Sequence, residues 1–400
     1  MLAGCAAFLS LYASQGVLRE LADDFRVNAE RAGLTIAATT LAVALVAPFV
    51  GRLTRGYARP RVIAWSSMLL AAPMALSAHA SSFAALLLWR FASGVLIPVV
   101  FASTVAFIGE RWEPRRITEV TSLYVTGTVV GGFAGRFIAA LVTAYADWHR
   151  AFEALAAASL LVGLVIRVLL ADGQPHEAHD AHEARDAAVD RREAGGGGAA
   201  ASLFGGPLVA AYAVGFCVLF AQVASFTYAS LYLGRPPFSL GPAALGSIYA
   251  VFLLALVVTP VAGRVARSRP QSQLLLAASL LGALGSLVTL SHSLAMVLAG
   301  LALSSSGVFV AQAAATSFVT SSSGAAKATA IGIYLSCYYL GGSLGAIVPG
   351  AVWARFGWPG CVALVVLVQC ACPVVAHWGW RARPPHSTRQ SNTGLKKLRS

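Results

Sequence analysis

Charge is what this chain of 400 residues has least of: Asp, Glu, Lys and Arg make up only 11% of it, less than half of the ~25% usual in a soluble globular domain. With 58% of its residues in the hydrophobic set, a water-soluble fold would have too little polar surface to cover itself. A sizeable soluble domain is also missing. The longest polar stretch, Asp172 to Ser202, is rich in charge and alanine, contains the run Gly195 to Gly198, and has the composition of a solvated linker without a core. A non-transporting membrane sensor, the alternative outside transport, would carry such a domain. No GxxxxGK[ST] pattern supplies an ATP site. No cluster of His, Asp and Glu, and no nucleophile with its base, lies at bilayer depth to make the chain an enzyme. No cofactor is expected.

What the sequence has instead is long apolar runs, near the ~20 residues that a helix needs to cross hydrocarbon. They fall at 2–18, 34–53, 61–78, 83–108, 117–143, 148–170, 204–230, 241–264, 271–290, 293–318, 326–351 and 358–378. The runs are continuous rather than alternating, so they read as helices and not as barrel strands. Met1 to Ser10 contains no Lys or Arg, so the first run lacks the basic region of a secretory signal and reads as a span. It is short, and an upstream start codon would lengthen it. The six cysteines, Cys5, Cys217, Cys337, Cys361, Cys370 and Cys372, fall inside spans without metal-ligand spacing, which predicts free packing thiols; the CxC pair at the end is a weak signal.

The net charge of +13 is a matter of location, not of nucleic-acid binding. Arg19, Arg26, Arg31, Arg150, Arg235 and Arg355 lie in one set of loops, and Arg90 and Arg136 lie within spans. The other 21 of the 29 basic residues sit in the opposite loops and the C-terminal tail. By the positive-inside rule both termini are cytoplasmic.

An internal repeat divides the chain. Pro48, Gly51, Arg52 and Arg55 recur as Pro260, Gly263, Arg264 and Arg267, and Tyr124, Gly131, Gly132, Gly135 and Trp148 recur as Tyr334, Gly341, Gly342, Gly345 and Trp358. An even number of spans separates the copies, so the halves are parallel repeats. The expected organisation is a six-helix bundle at 1–170, a cytoplasmic linker at 171–203, a second six-helix bundle at 204–380 and a basic tail at 381–400. The fold class is therefore an all-α polytopic membrane protein of twelve helices.

At this level the sequence resembles the major facilitator superfamily, in particular the twelve-helix drug:proton antiporter branch with its YnfM-like and arabinose-efflux-like permeases. The best-matched stretch is Tyr124 to Phe152, with its GGxxGR segment and the Trp148 and Arg150 that follow. Arg90 and Gly94 match the fourth-helix motif, with Ser93 where Gln is usual. The superfamily signature after the second helix is matched only at Gly51 and Arg59. Arg55 stands at its usual Asp, Gly56 at its Arg, Ala58 at its Gly and Pro60 at its last basic position, which puts the gate latched by that Asp in doubt. The resemblance implies alternating access and export of a drug or metabolite by proton antiport from a bacterial inner membrane. Uptake or proton-independent facilitation remains the alternative.

Several residues are candidates for transport. Gly127, Gly131 and Gly135 make a GxxxGxxxG ridge for close helix packing, with Gly341 and Gly345 as counterparts. Gly94, Gly132 and Gly342 join this packing set, and Gly51, Arg55, Arg59, Gly263 and Arg267 a cytoplasmic gate. A charge at bilayer depth is costly and faces a cavity or a partner. Arg90 and Arg136 each lie about seven residues, ~10 Å, below the outer face, and Glu153 is the nearest acid, so an Arg–Glu cluster is expected, with Arg90 the first choice. Snorkelling to the headgroups is the competing role. For a proton carrier the candidates are Glu153 and then Glu119, since the first helix has no acidic residue. Tyr12, Gln15, Gln222, Tyr228, Tyr249, Gln312, Tyr334, Tyr338 and Tyr339 are the polar and aromatic residues for a cavity that takes an amphipathic organic solute, with a lean toward anions. His176, His179 and His182 in the linker could collect a divalent metal only if helical, and a solvated linker is the default, so no metal site is assigned. The expected partners are a small-molecule substrate, the lipid bilayer and protons, and the chain is expected to act as a monomer.

Overall fold

The computed structural model describes residues 1–171, 203–265, 269–323 and 327–380. The linker histidines, Arg267 and the basic tail lie outside the described residues. Among them the chain is helical, and ten helices are long and apolar enough to cross a membrane. One of these, Thr329–Gly379, is two spans. It breaks at Gly357, whose φ of +59° suits glycine. The Cys361 thiol reaches the Pro349 carbonyl at 3.6 Å, whereas twelve residues of straight helix would hold them about 18 Å apart. The chain therefore reverses there. With the shorter apolar helix Leu2–Leu11, twelve crossings result, numbered here in chain order as spans one to twelve.

Several helices run beyond the apolar stretches that predict them. Span four covers Phe83–Arg111, span five Pro114–Tyr145 and span ten Leu294–Ser322, each extended by turns that are polar and so invisible to hydropathy. Span two begins at Ala29, five residues early. The Asn28 side chain accepts from the Arg31 amide at 2.8 Å, an N-cap that starts the helix in a hydrophilic first turn.

The repeat is visible in the packing. A side chain added at Gly127, Gly131 or Gly135 on span five would collide with the backbone of Met1, Cys5 or Leu9 on span one. In the other half Gly341 and Gly345 on span eleven meet the backbone of Phe216 and Phe220 on span seven in the same way. Without hydrophobic drive between helices in lipid, such close backbone approach is how neighbouring spans gain packing energy. Gly94 on span four likewise admits the Thr39 carbonyl of span two.

The halves touch through spans two and eleven and through spans five and eight. Gly33 lies against the Ala346 backbone, and Gly246 against Ala140 and Phe137. Thr40 and Ser343 share a hydrogen bond of 2.8 Å.

Candidate functional site

Span one does not stay α-helical. It runs as Leu2–Leu11, a 3-10 stretch Ala13–Val17 and then Leu18–Asp24. The tighter winding sends the Gln15 amide to the Tyr12 carbonyl at 2.9 Å, one residue short of its α-helical partner at Leu11. Arg90 takes up the difference. Its Nη2 donates to the Ser10 and Leu11 carbonyls at 2.7 and 3.0 Å, its Nη1 to the Met74 sulfur at 3.1 Å, and its guanidinium lies 5.8 Å from the Phe152 ring. Arg90 is fully buried and holds spans one, three, four and six together. Its guanidinium is buried in protein and does not reach the surface.

Span eight changes winding as well, with a 3-10 stretch Tyr249–Leu254 between Pro242–Ile248 and Ala255–Val265. The two distorted segments face each other across Arg136 of span five. Its guanidinium sits 4.3 Å from the Tyr12 ring, 5.1 Å from Tyr249 and 4.9 Å from Phe252. Its Nε donates to Gln15 Oε1 at 2.7 Å and its Nη1 to the Gly132 carbonyl. Gln15 ties the two halves: its Nε2 donates to Thr227 Oγ1 of span seven at 2.8 Å, and the Tyr249 hydroxyl donates to its carbonyl at 3.1 Å.

This layer forms one end of a cavity of about 680 Å³ between the halves. Tyr12, Gln15, Gln222, Gln312, Tyr334, Tyr338 and Tyr339 line it, as do Gly132 and Arg136. Tyr228 and Tyr249 do not. Tyr228 donates to the Ala346 carbonyl at 3.0 Å, beside Gly33, and Tyr249 stands behind the arginine. Phe252, Phe309, Thr316 and Thr128 also line the cavity, and Thr227 anchors its end. Sequence carried no signal for them, since Phe or Thr on an apolar helix looks like packing.

The cavity runs from the Arg136 layer, where the halves meet, to Val125, Thr316 and Ser321, which are exposed. That open end is the one bearing the basic loops. At the opposite, closed end Arg19 donates to the Gly234 carbonyl at 2.8 Å across the halves.

The expected Arg–Glu cluster does not form. Glu153 accepts from Arg150 at 2.8 Å and lies 3.5 Å from His79, with about a third of its side chain exposed. Arg150 is one helical turn away, and five residues of span six leave the carboxylate close to water, where it pairs locally rather than reaching inward. Glu119 is exposed near the start of span five. Among the described residues no group of three or more His, Cys, Asp or Glu could hold a metal ion, and the six cysteines are free thiols.

At the start of span three, Arg59 donates to Thr54 Oγ1 at 2.9 Å and lies 3.5 Å from Glu110 at the end of span four. Gly56 has a φ of +79°, so the turn needs glycine where the superfamily signature has Arg. Gly51 and Gly263 have open space around them, and Arg52 and Arg264 are exposed beside them.

Twelve spans in two parallel halves around a central cavity define a membrane transporter. The chain belongs to the Major Facilitator Superfamily, whose family model matches residues 1–344 and 238–400. It is 28% identical over 388 residues to the uncharacterized MFS-type transporter YybF of Bacillus subtilis, covering 95% of this chain and 92% of that protein. It is 26% identical over 369 residues to the inner membrane transport protein YnfM of Escherichia coli, covering 92% and 86%. A bacterial homolog of the human lysosomal transporter Spinster, solved in an inward-facing and occupied conformation, shares the fold with a TM-score of 0.74 over 95% of each chain at 15% identity.

Proposed function

We propose that this transporter moves its small organic solute by alternating access and exports it across a bacterial inner membrane, with both termini in the cytoplasm. The observation that carries alternating access is the asymmetry of the central cavity; export rests on the resemblance to drug antiporters. One end is closed by small residues and hydrogen bonds between the halves, and the other reaches exposed residues on the side of the basic loops. The positive-inside bias makes that side cytoplasmic, and YnfM bears the name of an inner membrane protein. The bundles at 1–170 and 204–380 then rock about the cavity, joined by the linker at 171–203. A single chain encloses the whole route, so a monomer suffices.

Two sources of energy compete. The resemblance to drug:proton antiporters supports exchange for protons through Glu153. The lining favours a cycle without protons: among the described residues no Asp, Glu or His lines the cavity, and Glu153 pairs with Arg150 and His79 outside it, at the start of span six.

Purified protein in liposomes with an internal pH dye tests both readings against a panel of organic acids, sugars and antimicrobial compounds. Glu153→Gln is expected to change solute flux less than twofold, with no proton movement in step with solute. Solute-dependent proton flux lost in that variant would establish antiport through this carboxylate instead.

A further inference from the structure

Arg136 presents an uncommon balance of charge. Its side chain is 6% exposed, its guanidinium stays protonated, and among the described residues no carboxylate lies within ion-pair distance of it. The neighbours are three aromatic faces, one amide oxygen and one carbonyl. These offset part of the cost of burial, but leave a net positive charge at the end of a cavity lined by no other charged group among the described residues. The rest of the lining is aromatic or neutral.

We infer that Arg136 is the binding site for the anionic group of the solute, which is an amphipathic aromatic or otherwise apolar organic anion, and that its export is electrogenic. The inference rests on the alternating-access reading above. The geometry makes charge complementary to Arg136 the main electrostatic requirement, while Tyr12 and Phe252 beside it favour a flat apolar body. Gln15 and Tyr249 join the halves next to the guanidinium, so an anion seated there touches the contacts that part when the closed end opens. The cycle moves one negative charge outward with each monovalent solute and returns empty. A membrane potential negative inside drives it without a proton.

The test uses wild-type protein in detergent and in liposomes with naphthalene-2-sulfonate, 2-naphthoate and 4-toluenesulfonate as anions and phenyl β-D-glucoside as a neutral probe. Binding is read by tryptophan fluorescence and charge movement by currents on solid-supported membranes. At least one anion is expected to bind ten-fold or more tighter than the glucoside and to carry negative charge. Arg136→Gln should weaken that binding at least a hundred-fold. Gln15→Glu provides a second route, because it places a carboxylate on the arginine from within the protein. It should abolish anion binding and leave a folded monomer by gel filtration. Equal binding of anions and glucoside, anion binding unchanged in either variant, or binding of none of the anions to folded protein overturns the inference. Movement of the glucoside in those cases keeps the carrier reading, whereas a protein that carries neither kind of probe loses both.

Discussion

Gly33→Leu will shut transport down by roughly ten- to a hundred-fold while leaving a folded protein. Gly33 lies on span two where a Cβ would enter the backbone of Ala346 on span eleven, with the Tyr228 hydroxyl close by. Leucine is a better helix former than glycine by about 1 kcal/mol, so the span itself does not suffer. The cost falls on the contact between halves, where overpacking takes typically about 1–3 kcal/mol, or a shift of up to about a hundred-fold in a two-state equilibrium. In the proposed cycle that contact exists only while this end of the cavity is closed. The variant should therefore favour the conformer open at the other side, and a cysteine at Thr316, exposed in the open end, should react more slowly with a water-soluble thiol reagent. Unchanged transport together with unchanged reactivity would show that spans two and eleven do not separate during the cycle.

Arg90→Met will destabilise the protein by about 2–6 kcal/mol without weakening solute binding to the fraction that folds. The Leu11 carbonyl loses its donor and the Ser10 carbonyl is left with only the Tyr12 amide two residues on, and each poorly satisfied buried polar group costs roughly 1–3 kcal/mol. Methionine fills much of the volume and cannot donate. Equilibrium unfolding in mixed detergent micelles measures the loss, and the same preparation titrated with solute measures the affinity. Arg136→Gln should behave in the opposite way, with binding lost and stability less affected, because Arg136 borders the open cavity, where water can reach the acceptors it leaves. If Arg90→Met were to lose binding with full stability, the roles given to the two arginines would be reversed.

The two arginines also mark how far the sequence could be read. Their depth is an expectation from counting residues at 1.5 Å per residue along a helix; separately, both are buried in protein. The direction each faces did not follow. Arg90 points into its own bundle because span one frees two carbonyls there, and nothing in the sequence signals a 3-10 segment at Ala13–Val17, which Gly16 permits by letting the Arg136 backbone approach. Arg136 lines the cavity with its Nη1 donating to the Gly132 carbonyl one turn earlier and its Nε to Gln15. The glycine ridge was legible, since GxxxGxxxG specifies one helix face regardless of partner. Its partner, span one, was not. Glu153 was placed at the right end of span six, but its pairing depended on the local Arg150 and His79 rather than on depth. The charged lock after span two was obscured by Arg55 at the family's Asp position; Glu110 on span four supplies a carboxylate to Arg59 instead.

A consequence of anion export is a driving force that needs no titratable group. A negative charge leaving a cell gains about 2.3 kcal/mol per 100 mV of potential, equivalent to roughly a fifty-fold gradient of solute. A cavity lined by no carboxylate among the described residues is consistent with that source of energy, and Glu153→Gln should then be a quiet variant.

Rocking of the halves about the cavity is tested most directly by double electron–electron resonance, with the native cysteines replaced and nitroxides attached in pairs. Asp147 with His292 reports the closed end, and Tyr57 with Arg269 the end bearing the basic loops; all four are exposed. Two populations in reciprocal relation are expected: as the first distance lengthens the second shortens, and Gly33→Leu shifts weight to the population with the longer first distance. A single population for both pairs, unmoved by Gly33→Leu, or both distances changing in the same sense, would contradict it.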